Sequence, residues 1–118
     1  MVHTRWIVFG EIEIEGERYR HDVVIAAGNV AKRLKKPSKA FREQFGHTPL
    51  SAGERIPWEG KRLIVGTGEK GSLPIMPDVL AEAERRGIEI VAVPTPEALR
   101  LLRDVDAKDV HAILHVTC

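Results

Sequence analysis

The sequence predicts a single-domain α/β fold with a mixed, mainly parallel sheet, helices packed on it and an N-terminal β-hairpin, on three observations. Leu63, Ile64 and Val65 form an apolar run that enters the glycine turn Gly66-Thr67-Gly68-Glu69-Lys70-Gly71. Beyond that turn, helix-like and strand-like patterns alternate. Ahead of it, Glu11-Ile12-Glu13-Ile14 alternates strictly, as a half-buried strand does. Strand–helix repeats close into parallel sheets through right-handed crossovers.

In chain order, Trp6-Ile7-Val8-Phe9 begins the first strand and residues 11–14 continue it. Glu15-Gly16-Glu17 turns, and residues 18–25 return to complete the hairpin. Residues 30–56 carry little periodicity. Five cations fall within residues 32–39, and Phe41 and Phe45 sit four apart, as one face of a short helix ending at Gly46 requires. Leu63, Ile64 and Val65 read as a strand covered on both faces. Pro77 opens a helix over residues 77–86 with Val79, Leu80 and Ala83 on one stripe, and Gly87 stops it. Residues 88–93 form the next strand. Thr95 is placed to cap a further helix with Pro96 in its first turn and Ala98, Leu99 and Leu102 on its apolar face. Residues 110–116 close as a strand. That strand lies either beyond its predecessor or on the other side of residues 63–65. The second arrangement makes the glycine turn a topological switch point, where open α/β sheets place ligands.

With 118 residues the chain is read as one domain, 1–118, large enough to bury roughly 65% of its unfolded surface. Eighteen basic and 17 acidic side chains leave a net charge of +1, which supplies no field to gather nucleic acid or a membrane. Cys118 is the lone cysteine, so an internal disulfide is excluded and a cytoplasmic location is favoured. No apolar run is long enough to span a membrane. Asn29 and Gln44 are the only side-chain amides, a thermophile-like composition.

Several stretches occur together in a familiar order: residues 19–25, Leu63-Ile64-Val65-Gly66-Thr67-Gly68, Arg86-Gly87-Ile88-Glu89, Thr95-Pro96-Glu97-Ala98 and His115-Val116-Thr117-Cys118. This ordered set resembles the small α/β domain family that includes the human adipogenesis-associated domain protein and a mitochondrial complex I assembly factor. The resemblance implies a compact three-layer fold with a mixed sheet, no established enzymatic activity, and a protein partner. It carries over Asp22, Gly66, Thr67, Gly68, Thr95, His115, Thr117 and Cys118. Residues 32–56 depart from it, being more basic and without a regular helix.

The candidate chemistry starts at the glycine turn. It satisfies G-x-G-x-x-G after a strand, but Ser72, Leu73, Pro74, Ile75 and Met76 separate it from Pro77. A dinucleotide fingerprint opens directly into its helix, so the dinucleotide reading is disfavoured. The turn is read either as a tight strand exit or as a set of free N–H groups for a small anion. His111 and His115 on a strand stand roughly 13 Å apart at about 3.3 Å per residue, too far to share a metal ion. His115 with Cys118 has the residue types of a nucleophilic pair, but a spacing of three points them to opposite faces of a regular strand. A chain-terminal carboxylate beside Cys118 also disfavours its thiolate. Asp22 borders an apolar run and needs a partner, with Arg33 or a loop N–H the candidates.

Two functional readings follow. The first is a non-catalytic interaction or assembly-factor domain. The second is a small-ligand or anion site, or an undescribed enzyme, formed by Gly66, Thr67, Gly68, His115, Thr117, Cys118 and Asp22. Contact of the basic segment with RNA ranks below both, and neither a cofactor nor a metal is implied.

Overall fold

The computed structural model describes residues 2–118. Eight strands and three α-helices follow one another as β1 Thr4–Val8, β2 Glu11–Ile14, β3 Glu17–Tyr19, β4 Val23–Ala26, β5 Asn29–Lys32, α1 Arg42–Phe45, β6 Arg62–Gly66, α2 Pro77–Arg86, β7 Glu89–Val93, α3 Thr95–Leu102 and β8 His111–Leu114. The first three form an antiparallel sheet of their own. The other five form a mixed sheet in the order β5-β4-β8-β6-β7.

The N-terminal hairpin is present as β2 and β3 about Glu15-Gly16, but both of its expected arms are divided. The stretch from Trp6 to Ile14 is two strands, because Gly10 adopts a φ of +87° and folds β2 back on β1. The return stretch is also divided: β3 completes the small sheet, whereas β4 belongs to the large one and pairs with β5 and β8. The large sheet is mixed, as expected, but its parallel and antiparallel pairs are equal in number rather than mainly parallel. Its β4–β5 and β4–β8 pairs are antiparallel, and its β6–β7 and β6–β8 pairs are parallel.

The C-terminal half forms as its pattern dictates. Leu63, Ile64 and Val65 on β6 are all buried, and they alternate between two apolar clusters. Leu63 and Val65 join Val79 and Ala83 of α2 on one face. Ile64 joins Ala98, Leu99 and Leu102 of α3, with Ile12 and Ile14 of the small sheet, on the other. Leu80 is the exception on its helix and points to solvent. The first crossover runs from β6 through α2 to β7 on one side, and the second returns from β7 through α3, past β6 on the opposite face, to β8 on the other side. The glycine turn after β6 is therefore at the switch point.

Residues 33–54 are held by a buried polar junction, beside the apolar anchor of Leu50 in the α2-side cluster. Arg33 is buried and donates from Nε and Nη2 to both oxygens of Glu54, each at 2.8 Å. Its Nη1 donates to Asp22 Oδ2 at 2.9 Å, and Nη2 also reaches the Pro49 carbonyl at 2.9 Å. Ser38 donates to Glu54 and lies 2.6 Å from the Ser51 hydroxyl. A planar guanidinium with five fixed donors suits such a junction. One member of the basic segment is thus interior, and the surface at residues 32–39 carries four cations rather than five.

Candidate functional site at the sheet switch point

The switch point is filled by the chain itself. Residues 115–118 leave β8 and lie against the glycine turn. Every backbone N–H from Thr67 to Leu73 is spent internally. Thr67 donates to Val93 O, Gly68 to Thr95 Oγ1, Glu69 to Thr117 O, and Lys70 and Ser72 both to Cys118 O. Gly71 donates to Gly68 O and Leu73 to Thr67 O. An anion cradle needs free donors, and here carbonyls of residues 117 and 118 occupy them.

Glycine is required for this close approach. A Cβ on Gly68 would lie 2.1 Å from the Cys118 carbonyl carbon and 2.8 Å from His115 Cδ2, and its φ is +103°. A Cβ on Gly66 would lie 2.8 Å from Thr95 Oγ1. Thr95 does not cap α3 with its side chain, since Pro94 takes the cap position. Its hydroxyl instead accepts from Gly68 N at 2.8 Å and donates to His115 O at 2.6 Å. That buried hydroxyl joins the turn to the C-terminal segment.

From the other side, Asp22 fastens the same segment. Its Oδ1 accepts from Val116 N at 2.9 Å, and its Oδ2 lies 2.8 Å from His115 Nδ1. An ionised carboxylate only accepts, so Nδ1 carries the proton. His115 Nε2 is then 3.2 Å from Thr117 Oγ1. Burial alone would push the Asp22 pKa up. The His115 hydrogen bond and charge, the Val116 N–H and Lys35 outweigh it and hold the carboxyl well below the usual carboxylate range.

This depression fixes a sign for pH dependence. Asp22 stabilises the fold at pH values above about 3.9, the carboxylate reference, and that contribution fades as pH falls below it. Asp22→Asn should therefore lose more unfolding free energy relative to wild type at pH 6 than at pH 2.5. A denaturant titration at both pH values reads the difference, and an equal loss would contradict it.

Of the residues singled out from the sequence, Asp22, His115 and Thr117 form one hydrogen-bonded chain, and Gly66 and Gly68 abut it. Thr67 turns its hydroxyl toward Val93 O at 3.1 Å. Cys118 contributes its backbone carbonyl to the turn. His111 lies at the far end of β8 from His115. Among the described residues no group of three or more His, Cys, Asp or Glu side chains is arranged to hold a metal ion. Sequence reasoning missed Glu54, Ser38 and Ser51, whose spacing follows no helical or strand period.

Asp22, His115 and Thr117 reproduce the carboxylate–imidazole–hydroxyl order of a nucleophilic triad. Acyl transfer also needs N–H donors aimed at a developing oxyanion. The turn N–H groups nearest this cluster are all committed to carbonyls or to Thr95. The arrangement is built to hold the C-terminal segment.

The family model described as "Protein of unknown function (DUF498/DUF598)" matches residues 6–115. The chain belongs to this DUF498/DUF598 family. A conserved hypothetical protein of Pyrococcus horikoshii OT3, known from a crystal structure, is 30% identical with a TM-score of 0.76, over 98% of this chain and 99% of that one. The structure named MT938 is 25% identical with a TM-score of 0.68, over 100% of both chains. A Bordetella pertussis protein, a Mth938-like domain solved by NMR, shares the fold at 20% identity and a TM-score of 0.57, over 96% of this chain and 85% of that one. No curated protein matches the chain significantly. Among the described residues no helix is long and apolar enough to cross a membrane.

Proposed function

We propose that this member of the DUF498/DUF598 family is a non-catalytic interaction domain of the assembly-factor kind, working on a protein partner in the cytoplasm. The observation that carries the reading is the tip of the β1–β2 turn. Val8 and Phe9 are adjacent there and are 58% and 52% exposed. Next to them Gly10 donates to Val116 O at 2.8 Å, so the tip is anchored to the C-terminal segment. A rigidly presented aromatic side chain is the kind of group that dominates association energies. The groups able to do chemistry nearby are engaged within the chain. The resemblance to the family of the adipogenesis-associated domain protein and the complex I assembly factor supports the same reading.

The test is affinity capture from native lysate with wild type and with the Val8→Ser, Phe9→Ser double variant. Wild type should retain a specific protein that the double variant loses, while the variant's thermal midpoint stays within a few degrees. Capture unaffected by the double substitution would remove the basis of the proposal.

A second reading, a small-ligand site, is favoured by the Asp22–His115–Thr117 chain, whose imidazole and hydroxyl are partly exposed. A ligand there would meet those two groups rather than the turn amides. Stabilisation by a bound ligand raises the unfolding temperature. A screen of phosphate, nucleotides and small carboxylates in which none shifts the midpoint, in wild type or in Thr117→Val, would eliminate this reading.

A further inference from the structure

At the opposite end of β6 and β8 from the glycine turn, the sheet opens into a cleft of about 790 Å³. That volume is in the range of small-molecule sites, roughly 300–1,000 Å³. Its floor is apolar, formed by Ile64, Val105 and Val110. One wall is His111, only 8% exposed. The ring is pressed against Gly60, where a Cβ would fall 2.4 Å from His111 Cδ2.

The environment of the imidazole defines what it offers. Ala27 N–H points to His111 Nδ1 at 3.4 Å, so Nδ1 accepts and the proton sits on Nε2. Nε2 has no protein partner among the described residues. Among the described residues no fully buried side-chain nitrogen or oxygen lacks a partner, so Nε2 keeps accessible surface, and His111 lines the cleft. The wall therefore presents an N–H donor from an otherwise buried ring.

Charge at the rim gives the rest. Arg62 is paired with Glu89 at 3.0 Å, but Lys61 and Lys108 enter no ion pair among the described residues. Glu59 and Asp109 also border the cleft. Glu59 Oε2 stands 3.7 Å from His111 Nδ1, beyond hydrogen-bond distance, and its side chain is mostly in solvent. Two free cations and an N–H donor above an apolar floor match an acceptor oxygen on an apolar body.

The geometry points to a binding site for a small organic acid. Its hydrocarbon part lies on Ile64, Val105 and Val110. Its carboxylate accepts from His111 Nε2–H and is neutralised by Lys61 and Lys108. This end of the sheet is remote from Val8 and Phe9, so the cleft and the proposed protein interface stand or fall separately.

Amide chemical-shift mapping of the full chain tests it, with octanoate as the probe and octylamine and inorganic phosphate as comparisons. Octanoate should give saturable shifts centred on Ala27, Gly60, Val110 and His111. Lys61→Glu with Lys108→Glu, both at exposed positions, should weaken binding at least about tenfold while the spectrum stays dispersed. Glu59→Gln should tighten it. No saturable shift in the cleft, or an unchanged affinity in the double lysine variant, would overturn the proposal. Octylamine binding as well as octanoate would overturn the acidic head, and equal binding of phosphate would overturn the apolar body.

Discussion

Arg33→Met should lower the unfolding free energy by about 3–5 kcal/mol, the cost of leaving a buried charge without its partner. Among the described residues Arg33 is the only guanidinium in contact with the buried carboxylates of Asp22 and Glu54. Burial works against its charge, and the Glu54 and Asp22 carboxylates more than compensate, so its pKa is raised. Removing it leaves two carboxylates sharing one interior region. They then favour protonation, so the loss should shrink below about pH 4. Denaturant unfolding of wild type and variant at pH 7 and pH 3 reads both effects. A loss under about 1 kcal/mol at pH 7, the range of a surface ion pair, would show that the cluster is not buried as described.

Gly68→Ala should cost at least about 3 kcal/mol, combining a strained positive φ with displaced hydrogen bonds of about 1 kcal/mol each. The added methyl would collide with the Cys118 carbonyl, which accepts from Lys70 and Ser72. The two nearest atoms, the carbon and oxygen of the Cys118 carbonyl, are backbone and do not yield as the end of a flexible side chain does. Gly71→Ala is the control. Gly71 also has a positive φ, +70°, but a Cβ there would meet nothing nearer than 3.5 Å. It should lose only the left-handed penalty of about 1–2 kcal/mol. Equal midpoint losses for the two substitutions in thermal unfolding would mean that the C-terminal segment is not seated on the turn.

The legible parts of this fold are those where burial follows a regular period. Leu63, Ile64 and Val65, the Val79–Ala83 stripe and the Ala98, Leu99, Leu102 face were readable because helix and strand spacing aims them at a core. Gly46 and Gly87 end their helices in the left-handed conformation, as their positions after a periodic stretch suggest. Trp6 to Ile14 misled because only one glycine separates the apolar run Trp6-Ile7-Val8-Phe9 from the alternating Glu11-Ile12-Glu13-Ile14, and the fold-back depends on that glycine's dihedral. Asp22 marks the passage from the small sheet to the large one, which no local pattern records. Residues 33–54 were opaque for a different reason. Their organiser is the Arg33 guanidinium, whose partners Asp22, Pro49 and Glu54 come from three places in the sequence.

At the candidate site, proximity was readable and purpose was not. The apolar strand before Gly66 and the final strand suggested that the turn and residues 115–118 meet at a switch point. Thr95 was legible as a cap, because its spacing to Pro96 and Glu97 suits one. Tertiary demand overrode that preference, since Gly68 N and His115 O both need a partner where Thr95 sits. Whether turn amides stay free for a ligand depends on where two carbonyls of a remote segment come to rest. His111 shows the converse. It was noticed through its spacing to His115, yet what matters is its contact with Gly60 and Ala27.

Residues 115–118 close the switch point by binding the glycine turn and Asp22. Native-state amide hydrogen exchange at Glu69, Lys70, Ser72 and Val116 tests it most directly. Protection at these four amides should be close to that of Val65 and Ile113 in the centre of the sheet. Exchange at rates near those of exposed loop amides, with β6 and β8 still protected, would contradict it.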